Sequence, residues 1–159
     1  MGYHNAGFDV VGVDIAPGLN YPFHFILADV MVYLEWSDPV AAGYDAIHAS
    51  PPCQAYSTTA SLHNNDHPEL VGPVRDMLKE TGLPYVIENV VGAPLHHPFK
   101  LCGSSFGLRV WRHRLFECNW DIGMVPPCSH HQHPLPLDVT GVGGPGGRHR
   151  KPRGLAEAR

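Results

Sequence analysis

Two consecutive prolines after a short apolar run constrain the fold of this chain more than any other feature. The run Tyr44–His48 has the apolar content of a short buried strand. Pro51 and Pro52 then end the strand, because proline has no amide hydrogen to donate and restricts the backbone of the residue before it. The resulting loop is stiff and carries Cys53 at its tip. A cysteine held in this way at the end of a strand is a candidate nucleophile.

A second set of residues predicts where this loop lies. The run Pro84–Ile87 is predicted to form another strand, and Glu88 follows it directly. Between the two strands, one face of a predicted helix carries the apolar residues Leu70, Val71, Val74, Met77 and Leu78. A helix between two strands returns the chain across the sheet, so the strands lie parallel. Cys53 and Glu88 are therefore expected at the same edge of the sheet, where ligands bind in this architecture.

Two earlier runs are also predicted to be strands. Phe8–Asp14 ends on an acidic residue, and Phe25–Val30 contains a second acid, Asp29. Strands that alternate with helical segments are typical of an α/β fold. The fold class is therefore predicted to be α/β.

A basic strand is predicted farther along the chain. In a strand over residues 110–116, successive side chains point to opposite faces, so that Arg112 and Arg114 share one face with Val110 and Phe116. The pattern suits a strand that directs two arginines into a cleft. The alternative is an edge strand whose arginines are solvated.

Three short motifs follow one another along the chain. Pro-Cys-Gln at 52–54, Glu-Asn-Val at 88–90 and Arg-x-Arg at 112–114 resemble the DNA cytosine-5 methyltransferase family. The resemblance covers roughly residues 3–120 and implies a Rossmann-like, mostly parallel methyltransferase sheet. The family's first strand and glycine-rich turn, Phe-x-Gly-x-Gly-Gly, are not found before residue 8. The predicted sheet is therefore incomplete at the N-terminus.

The resemblance also divides the chain into two parts. Residues 1–120 are expected to form a partial methyltransferase catalytic domain. Residues 121–159 are rich in proline, glycine and histidine. We expect them to form a loop-rich basic tail, which is a candidate for a reduced target-recognition region.

Catalytic roles follow from the family resemblance. Members of the family transfer a methyl group from S-adenosylmethionine to carbon 5 of cytosine through a covalent cysteine adduct. Cys53 is the implied nucleophile, and Glu88 is the implied proton donor to ring nitrogen 3 of the base. Arg112 and Arg114 are expected to hold the exocyclic oxygen at carbon 2 or to orient Glu88.

The same resemblance implies a site for S-adenosylmethionine. Its expected contacts are Asp14, Ile15, Asp29 and Pro51, with Asp14 at the ribose hydroxyls and Asp29 at the adenine amino group. An acid at the end of a strand has the ribose-binding role in doubly wound folds. No metal is assigned to the site.

The charged residues are unevenly distributed. Residues 1–90 contain 2 basic and 11 acidic side chains, whereas residues 91–159 contain 9 basic and 4 acidic ones. A polyanion would therefore meet the C-terminal half of the chain. The expected partner is duplex DNA with the target cytosine flipped out, and no obligate protein partner is expected.

The cysteines and the hydropathy predict the compartment. Cys53, Cys102, Cys118 and Cys128 are unevenly spaced, as expected for reduced thiols rather than for a disulfide framework. No apolar run is long enough to cross a membrane. The chain is therefore predicted to be cytoplasmic and to have no membrane partner.

Three alternatives remain open at the level of the sequence. One is an inactive, truncated methyltransferase remnant that binds DNA, and another is an RNA cytosine methyltransferase with the same mechanism. The third is a structural zinc site beside the main function, with ligands drawn from Cys118, Cys128, His130, His131 and His133. The spacing of these residues matches no established zinc pattern.

Overall fold

The computed structural model describes residues 2–18, 20–56 and 67–130. The helices of this part are α1 (Gly2–Asn5), α2 (Val30–Trp36) and α3 (Val71–Glu80). The strands are β1 (Val11–Asp14), β2 (His24–Leu27), β3 (Ile47–Ala49), β4 (Tyr85–Asn89), β5 (Phe99–Cys102) and β6 (His113–Cys118). Short 3₁₀ turns follow β3 at Gln54–Tyr56 and β5 at Gly103–Phe106.

The strands form two sheets. In the smaller sheet, β1 and β2 pair in parallel. The larger sheet has the order β3-β4-β6-β5, and β3 runs parallel to β4. The predicted α/β class is confirmed. The predicted parallel pairing of the strand before the Pro-Pro-Cys loop with the strand that carries Glu88 is confirmed as well.

The larger sheet is mixed, which corrects the expectation of a mostly parallel sheet. β6 runs antiparallel to both β4 and β5. The connection between β5 and β6 is short, and parallel strands need a crossover of about a dozen residues or more. The chain also passes close to itself in this hairpin, because a Cβ on Gly103 would lie 2.5 Å from the carbonyl oxygen of Val110.

The core lies between α3 and the larger sheet. Val74 and Leu78 of α3 pack with Tyr85 and Ile87 of β4, and none of the four is more than 3% exposed. The predicted apolar stripe is therefore the face of α3 that contacts the sheet. Gly82 follows the helix in the left-handed conformation, with φ at 69°, which glycine adopts readily.

Both β3 and β4 differ from their predicted bounds. β3 begins only at Ile47, and Tyr44 belongs to the preceding turn, in which its amide donates a hydrogen bond to the carbonyl of Pro39. β4 extends beyond the apolar run and includes Glu88, which lies opposite Phe116 of β6. Glu88 is therefore part of the ladder and does not follow the strand.

A cavity of about 560 Å³ separates the two sheets. Val11 and Val13 of β1 and all three residues of β3 line it. Among the described residues, β1 pairs only with β2, and β3 pairs only with β4. The two sheets are therefore not joined by backbone hydrogen bonds within the part of the chain that the structure covers.

Two expectations concern the remaining segments. Residues 121–129 form neither helix nor strand, and residues 131–159 lie outside the described part of the chain, so the predicted boundary at residue 120 stays a prediction. Within residues 2–18, 20–56 and 67–130, no helix has the length and apolar character that crossing a membrane requires.

Candidate active site

The carboxyl ends of β3 and β4 bring the Pro-Pro-Cys loop and Glu88 to one edge of the larger sheet. The two strands are adjacent and parallel, with Ala49 opposite Ile87. The chain leaves β3 at Ser50 and enters the loop that carries Cys53. Because parallel strands end at the same edge of a sheet, this loop lies beside the last residues of β4.

Asn89 fastens the loop to β4. Its side-chain amide donates a hydrogen bond of 3.0 Å to the carbonyl oxygen of Pro51. Its own Oδ1 accepts a hydrogen bond of 2.8 Å from the backbone amide of Val90. Asn89 is only 1% exposed, so water competes little for these bonds. An amide suits this position because one side chain must both donate and accept.

The far end of the loop is held by α3. The first amide of the helix, that of Val71, donates a hydrogen bond of 3.3 Å to the hydroxyl of Tyr56. The amide of Tyr56 in turn donates to the carbonyl of Cys53 at 3.1 Å, which closes the 3₁₀ turn. Cys53 itself is half-buried. The thiol is therefore carried by a segment that is anchored on both sides.

Glu88 forms an ion pair with Arg114. Arg114 Nε lies 2.7 Å from Glu88 Oε1, and each side chain is little more than one-fifth exposed. Glu88 is opposite Phe116 in the register of β4 and β6, so Arg114 is its diagonal neighbour on the same face, within reach of a long side chain. The structure therefore brings together Glu88 and Arg114, two of the four predicted catalytic residues.

Arg112 does not share this arrangement. β6 begins at His113, so Arg112 precedes the strand, and its side chain is exposed. The prediction that both arginines project from one strand face is therefore wrong for Arg112. The reason lies in the hairpin, whose ladder starts only at the pair Cys102–His113, so the residues before it belong to the connection.

His48 is a polar residue near Glu88 that the sequence did not single out. The hydroxyl of Tyr3 lies 2.6 Å from His48 Nδ1, and the hydroxyl of Ser50 lies 3.1 Å from Nε2. Burial lowers the pKa of His48, and the nearby Glu88 carboxylate opposes this shift without cancelling it. The lowered pKa favours the neutral imidazole, in which one nitrogen donates and the other accepts.

All four residues predicted to contact S-adenosylmethionine line the cavity between the sheets. Asp14 ends β1, Ile15 follows it, Asp29 caps α2, and Pro51 belongs to the loop after β3. The cavity volume of about 560 Å³ falls in the range of about 300–1,000 Å³ that is usual for small-molecule sites. The structure therefore brings these four residues together around one space.

Backbone hydrogen bonds fix both acids of this cavity. Asp14 Oδ1 accepts from the amide of Ala16 at 2.8 Å. Asp29 Oδ1 accepts from the amide of Met31 at 2.9 Å, which caps α2. Each carboxylate has a second oxygen with the capacity to accept from a ligand. Two acids that are oriented in this way suit hydroxyl or amino groups.

A cluster of two cysteines and two histidines lies away from this edge. Cys102 ends β5, His113 begins β6, and Cys128 and His130 belong to the segment after β6. Their ligand atoms all lie within 4.8 Å of one another. Burial by itself raises the pKa of Cys102, but its hydrogen bonds with Ser104 and His130 outweigh this effect and lower the pKa to about 7.

The predicted zinc ligands overlap only in part with this cluster. Cys128 and His130 are members, whereas Cys118 lies at the other end of β6. His131 and His133 lie outside the described residues. Each cysteine of the chain is a free thiol, so no disulfide competes for the sulfur atoms.

Sequence reasoning missed several of these residues for different reasons. Asn89 is part of the Glu-Asn-Val motif, so the motif itself was a sufficient signal. His48 is a polar residue at the end of an apolar run, which is a weaker signal. Nothing in the sequence linked Cys102 and His113 to Cys128, because these residues come together only in the folded chain.

No protein-family model and no curated protein matches this chain. The chemistry of the site is therefore inferred from its own residues and contacts.

Proposed function

We propose that this chain is a DNA cytosine-5 methyltransferase, which transfers a methyl group from S-adenosylmethionine to carbon 5 of cytosine through a covalent adduct with Cys53. The observation that carries the proposal is the hydrogen bond from Asn89 to Pro51. It links the loop of the Pro-Cys-Gln motif to the strand of the Glu-Asn-Val motif. In the same strand, Glu88 contacts Arg114 of the Arg-x-Arg motif, so three motifs far apart along the chain meet at one edge of the sheet.

Cys53 has the role of activating the base. Carbon 5 of cytosine is not nucleophilic in the aromatic ring, so it does not accept a methyl group directly. The thiolate of Cys53 adds to carbon 6, a carbon–sulfur bond forms, and the electron pair of the 5,6 double bond moves so that carbon 5 becomes an enamine carbon. After methylation, a base takes the proton from carbon 5, the bond between carbon 6 and sulfur breaks with its electron pair going to the Cys53 thiolate, and the 5,6 double bond is restored.

Glu88 and Arg114 assist the addition step. Attack at carbon 6 is faster when a proton reaches ring nitrogen 3. Glu88 would donate this proton from its protonated carboxyl form and would take it back when the thiolate leaves. Arg114, at 2.7 Å from Glu88, holds the carboxyl group in one direction, since an arginine–carboxylate pair has a defined geometry. Of the two roles expected for the arginines, the orientation of Glu88 is the one that this contact supports. Arg112 is exposed and suits the phosphate backbone.

The size of the cavity between the sheets suits a small-molecule cofactor, and its lining offers the carboxylates of Asp14 and Asp29 to polar groups. S-adenosylmethionine, when bound, supplies an electrophilic methyl group. Asp14 would hold the ribose hydroxyls and Asp29 the adenine amino group, with Ile15 and Pro51 in contact beside them. Pro51 also belongs to the loop that carries Cys53, so one loop serves both the cofactor site and the nucleophile.

The distribution of charge along the chain suits binding to duplex DNA. Residues 91–159 contain most of the lysine and arginine residues, and Arg112 is one of them. A cytosine inside a duplex is inaccessible to a thiol, so the base must be flipped out at a cost of about a few kcal/mol. Contacts to phosphates by the basic half would offset that cost.

A second candidate function is DNA binding without catalysis. The specific observation in its favour is the gap between β1 and β3, which leaves the two sheets unjoined in the described residues. A parallel strand in that gap would continue both sheets in the strand order of a doubly wound fold. Binding of S-adenosylmethionine separates the two candidates, because only the methyltransferase needs this cofactor.

Replacement of Cys53 by Ser tests the main proposal. DNA that contains 5-fluorocytosine traps the adduct, because fluorine at carbon 5 cannot leave as a proton. In the presence of S-adenosylmethionine, we expect the native chain to form a covalent complex that survives denaturing electrophoresis. Cys53→Ser should form none, since a serine hydroxyl is a much poorer nucleophile than a thiolate.

Cys118→Ser is the matched control, because it removes another thiol from the same sheet away from the loop. This variant should keep full adduct formation. An adduct that persists in Cys53→Ser would contradict the assigned nucleophile. RNA that contains 5-fluorocytosine, used in parallel, decides between DNA and RNA as the substrate.

A further inference from the structure

The two cysteines and two histidines of the cluster surround a common point. Cys102 and His113 face each other across the β5–β6 ladder. Cys128 and His130 approach them from the irregular segment after β6. Cys102 is 2% exposed, and the other three are half-buried. Four side chains that offer sulfur and imidazole nitrogen therefore converge in a shielded place.

The distances between the ligand atoms suit a tetrahedral metal ion. Cys102 Sγ lies 3.2 Å from His130 Nε2, and Cys128 Sγ lies 3.3 Å from His113 Nε2. Zinc bonds of about 2.3 Å to sulfur and about 2.0 Å to nitrogen give tetrahedron edges of about 3.3–3.8 Å. All four atoms lie within 4.8 Å of one another, so only small shifts are needed to close the tetrahedron.

We propose that Cys102, His113, Cys128 and His130 bind one Zn²⁺ ion in a closed structural site. Two thiolates and two imidazoles are a ligand set that selects zinc among the common divalent ions, and four protein ligands leave no open position for catalysis. This inference is independent of the proposed methyltransferase activity.

Groups around the cluster orient the ligands. The hydroxyl of Ser104 donates to Cys102 Sγ at 3.2 Å, which stabilises negative charge on that sulfur. The indole of Trp111 stacks on the His130 ring, with centroids 4.7 Å apart. Ser129 donates from its hydroxyl to the carbonyl of Ser104 at 2.6 Å. Outer contacts of this kind hold ligand side chains in place at metal sites.

A bound ion would add to the contacts that hold the segment after β6. Residues 121–129 have no regular secondary structure, so few backbone hydrogen bonds are available to fix them. Zinc ligated by Cys128 and His130 would fasten this segment to the β5–β6 hairpin. It would also hold the start of β6, directly after exposed Arg112, in one conformation.

Metal content provides the first test. The full 159-residue chain is purified under reducing conditions without chelator, and zinc is measured by elemental analysis. We expect one zinc ion per chain. Replacement of the ion by Co²⁺ should produce the visible absorption bands of tetrahedral cobalt with thiolate ligands. Absence of both zinc and the cobalt spectrum in folded protein would overturn the proposal.

Variants identify the ligands. Cys128→Ser and His130→Ala should lower zinc affinity by more than the about 10–100-fold that loss of an outer contact costs. His130→Cys should retain the ion, because it replaces one good ligand with another. This variant keeps the test decisive if His130→Ala does not fold.

Matched controls lie outside the cluster. Cys118→Ser removes a cysteine at the other end of β6, and His97→Asn replaces a histidine whose φ of 44° asparagine tolerates. Both should keep one zinc ion per chain, and a chelator should lower their melting temperature as it lowers that of the native chain. Full zinc content in both Cys128→Ser and His130→Ala would show that other residues bind the metal.

Discussion

Asn89 and Asn119 have matching roles at opposite ends of β4. The side chain of Asn89 holds Pro51 at the carboxyl end of the strand. At the amino end, Asn119 accepts from the amide of Tyr85 and donates to the carbonyl of Leu83, each at 2.9 Å. Asn89 is therefore buried beside the loop that carries Cys53, whereas Asn119 is exposed at the other end of the strand.

Replacing Asn89 with Ala should impair the proposed chemistry more than it impairs folding. The loop loses its tether to β4, and a misplacement of about 1 Å lowers a rate by about 100-fold. The free energy of unfolding should fall by about 1–3 kcal/mol, because the carbonyl of Pro51 then lacks its partner. The rate of capture of 5-fluorocytosine DNA and unfolding in urea measure the two effects.

Asn119→Ala is the control for this prediction. It removes an asparagine that follows β6 and bridges the amino end of β4, so some stability should be lost. The capture rate should stay within about twofold of the native value, because surface changes away from the site alter free energies by about 0.5 kcal/mol or less. Equal loss of capture in both variants would show that Asn89 acts through stability alone.

At the scale of elements, one buried ion pair joins α3 to β6 and to the segment before β5. Arg75 of α3 contacts both carboxylate oxygens of Glu117 in β6, at 2.7 and 2.8 Å. Arg75 also donates to the carbonyl of Pro94 at 2.6 Å, and the amide of His96 donates to Glu117 at 2.7 Å. Buried charges are tolerated when their remaining hydrogen-bonding capacity is satisfied in this way.

This ion pair makes stability dependent on pH. Burial by itself raises the pKa of Glu117, but the hydrogen bonds from Arg75 and from the amide of His96 outweigh it and lower the pKa below the ordinary value. A carboxyl group whose pKa is lowered by folding stabilises the folded state fully at pH values above its unfolded-state pKa of about 4.3. This stabilisation is lost as the pH falls through the lower value of the folded state.

Glu117→Ala should lower the free energy of unfolding by about 3–5 kcal/mol at pH 7, because it leaves the charge of Arg75 buried without a partner. The difference between the native chain and this variant should shrink in acid, once Glu117 is protonated in both states. Urea unfolding at pH 7 and at several values below 4.3 measures both effects. Glu80→Ala, on the exposed end of the same helix, should change stability little at any of these pH values.

At the scale of the whole molecule, the proposed cofactor site depends on both sheets. Asp14 comes from the smaller sheet, Asp29 caps the helix after it, and Pro51 follows the larger sheet. Neither sheet alone encloses the cavity. Affinity for S-adenosylmethionine therefore reports on how well the two sheets are held together, and it separates a methyltransferase from a DNA-binding chain without catalysis.

Calorimetric titration with S-adenosylmethionine should detect binding by the native chain. Asp14→Asn and Asp29→Asn keep an oxygen that accepts from the backbone amide but lose the charge. Each should weaken affinity by about 10–100-fold, since a hydrogen bond to a charged group contributes about 1.5–3 kcal/mol.

Asp38→Asn is the matched control for this titration. Asp38 also accepts from backbone amides in a local turn, but it does not line the cavity. Its substitution should leave the affinity unchanged. Failure of the native chain to bind S-adenosylmethionine, together with retained binding of DNA, would favour the second candidate function.

Part of this architecture was predictable from the sequence, because it depends on local patterns. The apolar stripe that includes Val74 and Leu78 predicted α3 and its buried face, since a helix places residues three and four apart on one side. Pro51 and Pro52 predicted the loop after β3, since proline has no amide hydrogen to donate and restricts the backbone of the residue before it. The crossover between parallel strands then predicted that Cys53 and Glu88 share an edge.

The sequence by itself thus determined the helix, the parallel strand pair and the order of the motifs. Only the tertiary structure decided that Arg114 and not Arg112 contacts Glu88, that Asn89 holds the loop that carries Cys53, and that Cys102 lies beside His130. The physical reason is that periodicity and proline act on neighbouring residues, whereas strand register and side-chain contacts join residues that are distant along the chain.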